Sequence, residues 1–151
     1  MEPDAILEEL AVAGPWDVRG DGRWVEAPGL DVRAMARLML DIEARWVTLT
    51  VTPAPDDGFR LLFHWDLDGS LLTISTEVPG ARAMSIADIW PAADWAEREA
   101  RDYYTIEFEG RDDVPALMLR PEDEPGLFSR TAELGRNEDP ADAARTDGAA
   151  S

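Results

Sequence analysis

The sequence has no cysteine, no lysine and one histidine among its 151 residues. Without cysteine there can be no disulfide, no thiolate zinc site, no cysteine-ligated iron–sulfur cluster and no thiol nucleophile. The same absence fits a reducing compartment. A single histidine, His64, excludes a histidine-rich metal site. It falls in the middle of a strand pattern beside Trp65, and no neighbouring serine suggests a catalytic triad, so a strand histidine facing solvent or a sheet edge is expected. No apolar run approaches the roughly 20 residues of a membrane-spanning helix. The start, Met1-Glu2-Pro3-Asp4, lacks the basic and apolar regions of a signal peptide, so a cytoplasmic location is expected. There is no glycine-rich phosphate loop and no dinucleotide fingerprint, so no nucleotide cofactor is expected.

What the chain does have is acid. Its formal net charge is −18, which repels nucleic acid and anionic lipid and attracts a protein with a basic face. All 14 basic residues are arginine, the better partner for forked carboxylate pairing. Hydrophobic residues make up 45% of the chain and include six tryptophans, enough for the core of one domain. From about Thr131 the sequence loses all periodicity. Residues 131–151 are therefore expected to form an acidic, alanine-rich disordered tail behind a domain of residues 1–130.

Within that domain, Ile6, Leu7 and Leu10 mark a short helix over 3–13 that Gly14-Pro15 ends. Residues 16–25 read as a hairpin turning at Gly20-Asp21-Gly22, and the Arg19-Gly20-Asp21 triplet is part of that turn. Asp31 caps a helix over 32–45, with Val32, Met35, Met39, Ile42 and Trp46 as its buried stripe and Arg33, Arg37, Asp41 and Arg45 on the wet face. Three alternating strands follow, through Val47–Val51, Phe59–Trp65 and Leu72–Val78. Their short turns predict an antiparallel meander with one face covered. Asp66-Leu67-Asp68-Gly69 resembles the start of a calcium loop, but the twelfth position, Glu77, lies inside a strand, so a hairpin turn is expected. Ser85 caps a short turn over 86–90, Pro91 opens a helix to Tyr104, and 105–108 form a short strand. Leu117-Met118-Leu119 reads as another strand or an extended docking segment. The fold class is α+β in two layers, an antiparallel or mixed sheet with helices mainly on one face.

The helix over 91–104 concentrates the chemistry. Glu97 and Glu99 are two residues apart and point in different directions, which argues against a catalytic carboxylate pair. Glu97–Arg101 and Arg98–Asp102 are spaced for ion pairs along the helix. Trp95, Tyr103 and Tyr104 add the aromatic area of an interface anchor.

The run Ser85-Ile86-Ala87-Asp88-Ile89-Trp90-Pro91-Ala92-Ala93-Asp94-Trp95-Ala96-Glu97-Arg98-Glu99-Ala100-Arg101-Asp102-Tyr103-Tyr104-Thr105-Ile106-Glu107-Phe108-Glu109-Gly110 resembles the signature of the C subunit of respiratory complex I. The resemblance extends to the related subunit of membrane-bound group 4 nickel–iron hydrogenases and formate hydrogenlyases, and covers roughly residues 28–110. It departs at Thr105, where the family usually carries glycine, and across Gly110–Ala116 and Gly126–Arg130.

The resemblance implies a non-catalytic, hydrophilic accessory subunit with no cofactor on this chain. Its partners would be the large subunit that carries the quinone or nickel–iron site and a neighbouring iron–sulfur subunit. Contact with the cytoplasmic face of the membrane would be indirect, through those partners. The expected interface residues are Trp95, Glu97, Arg98, Glu99, Asp102, Tyr103, Tyr104, Phe108 and Arg111, with ion pairs crossing the subunit boundary. On that expectation, alanine at Arg98 and Asp102 releases the partner and spares the fold. Two further readings of the residues stand beside it, a free-standing protein-binding module and a metal-dependent enzyme using the acidic cluster.

Overall fold

A computed structural model describes residues 1–55, 58–112 and 114–128. The segment 131–151, expected to be a tail, lies outside the described residues. The chain opens with α1 (Pro3–Glu9), then β1 (Asp17–Arg19) and β2 (Gly22–Glu26) form the expected hairpin. Next come α2 (Val32–Asp41) and three nine-residue strands, β3 (Arg45–Pro53), β4 (Phe59–Leu67) and β5 (Ser70–Val78). A single turn at Pro79–Ala81 leads into β6 (Arg82–Met84), followed by α3 (Ala93–Tyr104) and β7 (Glu107–Glu109).

The meander is as the alternation predicts. β4 pairs antiparallel with β3 and β5, and Leu61, Phe63, Trp65 and Leu67 are its buried side. The sheet as a whole is mixed, in the order β1-β2-β5-β4-β3, because β2 lies parallel to β5. That parallel contact is tight. A Cβ on Gly22, whose φ is +147°, would sit 2.5 Å from the Leu71 carbonyl oxygen, closer than any side chain can approach. A second, two-stranded parallel ladder joins β6 to β7.

Asp31 caps α2 as expected, its carboxylate accepting the N–H groups of Arg33 at 3.0 Å and Ala34 at 2.9 Å; such a cap contributes about 1 kcal/mol. Val32, Met35, Ala36 and Met39 form the buried stripe. The helix stops at Asp41 rather than Arg45. Glu43 takes a left-handed φ of +58°, and Arg45 belongs to β3, where it pairs with Asp66. Arg33 is also more engaged than a wet face implies, forking onto Asp88 through two 2.7 Å bonds.

The layer between sheet and helices is built on tryptophan. Trp65 is buried between Trp46 and Trp90, with ring centroids 5.0 Å and 5.2 Å away in edge-on contact. Trp90 donates its indole N–H to the Ala36 carbonyl at 2.8 Å, which ties α2 to the chain that enters α3. The opposite sheet face carries the polar row Thr50–His64–Thr73. His64 bonds Thr73 Oγ1 through Nδ1 at 2.9 Å and Thr50 Oγ1 through Nε2 at 3.0 Å. Burial holds its imidazole below the ordinary pKa of 6.5. His64 thus sits half-buried on an interior strand between two threonines, rather than free in solvent or at a sheet edge.

Candidate functional site

Ser85 starts the site as the sequence suggests, its Oγ accepting the Ala87 N–H at 3.2 Å while Trp90 N–H closes a turn onto Ile86 at 2.8 Å. α3 then presents three alanines, Ala93, Ala96 and Ala100, to the interior. Small side chains at i, i+3 and i+7 let the helix lie close over β3.

Beside this alanine stripe, two acids also turn inward. Glu97 is 1% exposed. Its Oε2 accepts the Ser85 hydroxyl at 2.7 Å and Arg111 Nη1 at 3.0 Å, and its Oε1 accepts the Ile86 N–H at 2.8 Å. Arg111 uses its other terminal nitrogen on Asp94 at 2.5 Å, and that bond holds the Asp94 carboxyl below the usual carboxylate range. Asp102 is 0% exposed. A single carboxylate oxygen, Oδ2, accepts the backbone N–H groups of Leu117 at 2.8 Å, Met118 at 2.8 Å and Leu119 at 3.1 Å. Burial pushes the Asp102 carboxyl up, but these N–H groups outweigh it and leave the pKa lowered. Arg98 completes the series by donating to the carbonyls of Pro115 at 3.1 Å and Ala116 at 2.9 Å.

Taken together, these bonds lay residues 111–112 and 114–119 along α3 as a strap. Arg111 is fixed at Asp94 and Glu97, 115–116 at Arg98, and 117–119 at Asp102. The chain returns once more when Gly126 N–H meets the Asp102 carbonyl at 2.8 Å. Phe128 then stacks on Tyr103, with centroids 4.6 Å apart and planes 28° apart. Leu117–Leu119 is therefore no strand; its amides are held by this chain's own helix.

The predicted site residues divide accordingly. Trp95, 64% exposed, and Glu99 stand out in solvent. Arg98, Tyr103, Tyr104 and Arg111 are half-buried, with Tyr104 edge-on to Phe59 at 5.7 Å. Glu97, Asp102 and Phe108 are sealed inside. Glu97 and Asp102, expected to form ions across a subunit boundary, are met here by donors of this same chain. The expected helix pairs are also replaced. Arg98 reaches back to Asp94 at 3.5 Å, and Arg101 pairs with the adjacent Asp102 at 3.2 Å. Glu97 and Glu99 sit on different sides of the helix and make no dyad. Met118, within the segment read as a strand or an extended docking segment, is held out by the strap at 63% exposure. Sequence reasoning missed Ser85 as the hydroxyl that meets Glu97. Among the described residues no three acidic or histidine side chains gather as a metal site. None of the described helices is long and apolar enough to cross a membrane.

Comparison with known proteins places this geometry. The C subunit of the NADH-quinone oxidoreductase of Cupriavidus pinatubonensis is 33% identical over 99 residues, covering 66% of this chain and 37% of that protein. The C/D subunit of the NADH-quinone oxidoreductase of Rhodopseudomonas palustris is 41% identical over 71 residues, 44% of this chain and 12% of that one. The chain thus spans little more than a third of the first relative and about an eighth of the second. Among solved structures, the trypsin-resistant fragment of Nqo5 superposes with a TM-score of 0.58 at 26% identity, covering 76% of this chain and 98% of the fragment. A chain of the membrane-bound sulfane sulfur reductase, an archaeal respiratory membrane complex, gives 0.70 at 23% identity over 89% of this chain and 88% of its own, a likeness of fold. Residues 27–128, which hold α2, the meander, α3 and the strap, match the family model of the respiratory-chain NADH dehydrogenase 30 Kd subunit, and the chain belongs to that family.

Proposed function

We propose that this chain is a non-catalytic, hydrophilic subunit of a membrane-associated electron-transfer complex. In this reading it docks on the large catalytic subunit, of quinone-reducing or nickel–iron hydrogenase type, with an iron–sulfur subunit as neighbour, on the cytoplasmic side of the membrane. Cofactors belong to those partners. One observation carries the reading: Glu97, Arg98 and Asp102 of α3 are spent within the fold while its tryptophan is left outside. Glu97, Arg98, Asp102 and Arg111 are occupied in holding the strap, and Trp95 on α3 and Met118 on the strap are exposed. Both Glu97 oxygens have protein donors, which suits a scaffold better than a metal-dependent catalyst. Exposed tryptophan and methionine on a rigid support are the composition of an interface hot spot.

The test is purification of the tagged chain from native membranes, with partner identification, beside a Trp95→Ala/Met118→Ala variant. The wild type is expected to bring down a large catalytic subunit. The variant is expected to lose it at an unchanged melting midpoint. Retention of the large subunit by the variant would overturn the assignment of this surface.

A further inference from the structure

β3 is an edge of the sheet. Its one ladder partner is β4, and among the described residues nothing bonds the backbone of 45–53 on the other side. A bare edge is a template for another strand, and proteins blunt such edges with charge, proline or a bulge. Here the blunting is confined to the ends, a bulge between Trp46 and Thr48 and Pro53 at the far limit. Between them runs Thr48-Leu49-Thr50-Val51-Thr52, without charge, glycine or proline, in a chain whose residues are 30% charged.

Alongside that edge, α3 and β3 enclose an open groove of about 400 Å3. Residues 48–51 of β3 line one side, and Ala96, Glu99, Ala100 and Tyr103 of α3 the other. The groove adjoins the exposed patch, since Trp95 lies one helical turn before Glu99.

We propose that this groove is a strand-addition site, in which an extended segment of a partner subunit pairs with the outer edge of β3. The inference rests on the docking reading above and narrows it to one edge and one class of segment. The backbone sets the first requirement: unpaired N–H and C=O groups along a strand are satisfied in register by another extended chain. The helix side sets the second. Alternate side chains of the incoming strand face Ala96 and Ala100, where small or β-branched residues fit. Charge sets the third. Glu99 is exposed with no ion-pair partner among the described residues, and the chain carries −18 overall, so the segment bears arginine or lysine next to Glu99.

Amide hydrogen exchange tests this, comparing the full chain alone with the membrane complex purified through a tag on it. In the chain alone, alternate amides of 48–52 exchange quickly. In the complex they slow by about two orders of magnitude. A Thr48→Lys/Glu99→Arg variant restores fast exchange at 48–52 and lowers the yield of complex at an unchanged melting midpoint. Protection that appears around Trp95 and Met118 but not at 48–52 overturns strand addition and leaves the docking reading standing. No protection at any of these positions, with no co-purified subunit, overturns both. Slow exchange already present in the chain alone also overturns it. The occupant is then a second copy if the protection depends on concentration, or the chain's own end if deleting residues 131–151 removes it.

Discussion

The Asp102 carboxylate accepts the backbone N–H of Met118 at 2.8 Å, 16 residues further along the chain. With Leu117 and Leu119 on the same oxygen, the strap forms an anion nest that a helix side chain fills. Removing the carboxylate leaves three donors facing a void. Hydrogen bonds to a charged group are worth roughly 1.5–3 kcal/mol each before compensation. Asp102→Ala is therefore expected to cost about 3 kcal/mol or more in urea unfolding, and Asp102→Asn less. The amides of 117–119 should lose exchange protection in both. The Arg98/Asp102 double alanine variant, expected from the resemblance to spare the fold, is expected instead to release the strap.

Spacing rules see neighbours on one helix, which explains what the sequence hid. Arg98 and Asp102 are correctly placed for an i,i+4 pair, but each finds better partners in backbone groups of 115–119. Those partners carry no side-chain signature. The long alternation of β3–β5 and the capped stripe of α2 were legible because each element's own pattern decides it. The parallel contact of β2 with β5 was not, since it depends on Gly22 meeting Leu71 from 49 residues away. Three-residue β6 is too short for any period to register. Trp95 and Tyr103 were both recognisable as unusual aromatics. Their different fates, one exposed and one stacked on Phe128, depend on a segment more than 20 residues downstream.

Arg111 joins two acids, at 2.5 Å to Asp94 and 3.0 Å to Glu97. Deleting one partner of a buried pair strands the other charge, at a cost of roughly 3–5 kcal/mol. Arg111→Ala is expected to fall in that range, read from the denaturant midpoint. Arg111→Lys keeps the charge but cannot fork, and is expected to recover only part of the loss. Equal stability of the alanine variant and the wild type would show that Glu97 is sufficiently served by Ser85 and Ile86.

Acid stability follows from the same carboxylates. Asp102 and Asp94 have folded pKa values below their ordinary 3.8, and Asp88, forked by Arg33, is lowered to about 2. A group depressed on folding stabilises the native state above its unfolded pKa and loses that contribution as pH falls through the folded value. The denaturant midpoint is therefore expected to drop between pH 4 and pH 2. His64 acts in the same direction at higher pH. Its folded value lies below 6.5, so stability declines as pH falls from about 6.5. His64→Gln is expected to flatten the upper slope and leave the lower one. A wild-type midpoint independent of pH from 7 to 5 would contradict the burial assigned to this ring.

Thr105 closes α3 in the left-handed conformation, φ +59° and ψ +22°, with its N–H on the Arg101 carbonyl at 3.0 Å. This is the position where the resembled signature carries glycine, and the geometry supplies the reason. A β-branched residue is strained at positive φ, whereas glycine is not. Thr105 keeps one local compensation, an Oγ1 hydrogen bond to the Tyr104 carbonyl at 2.6 Å, on an exposed residue where water can replace it. Glycine also gains freedom in the unfolded chain, which offsets part of the relief. The expected net effect of Thr105→Gly is a gain of about 1 kcal/mol, or roughly 3 °C in melting midpoint for a chain of this length. Thr105→Asn, which tolerates the left-handed region, is expected to gain less, and Thr105→Val nothing. A lower midpoint for the glycine variant would mean that the threonine bond to Tyr104 outweighs the strain, and that order of the three substitutions would reverse.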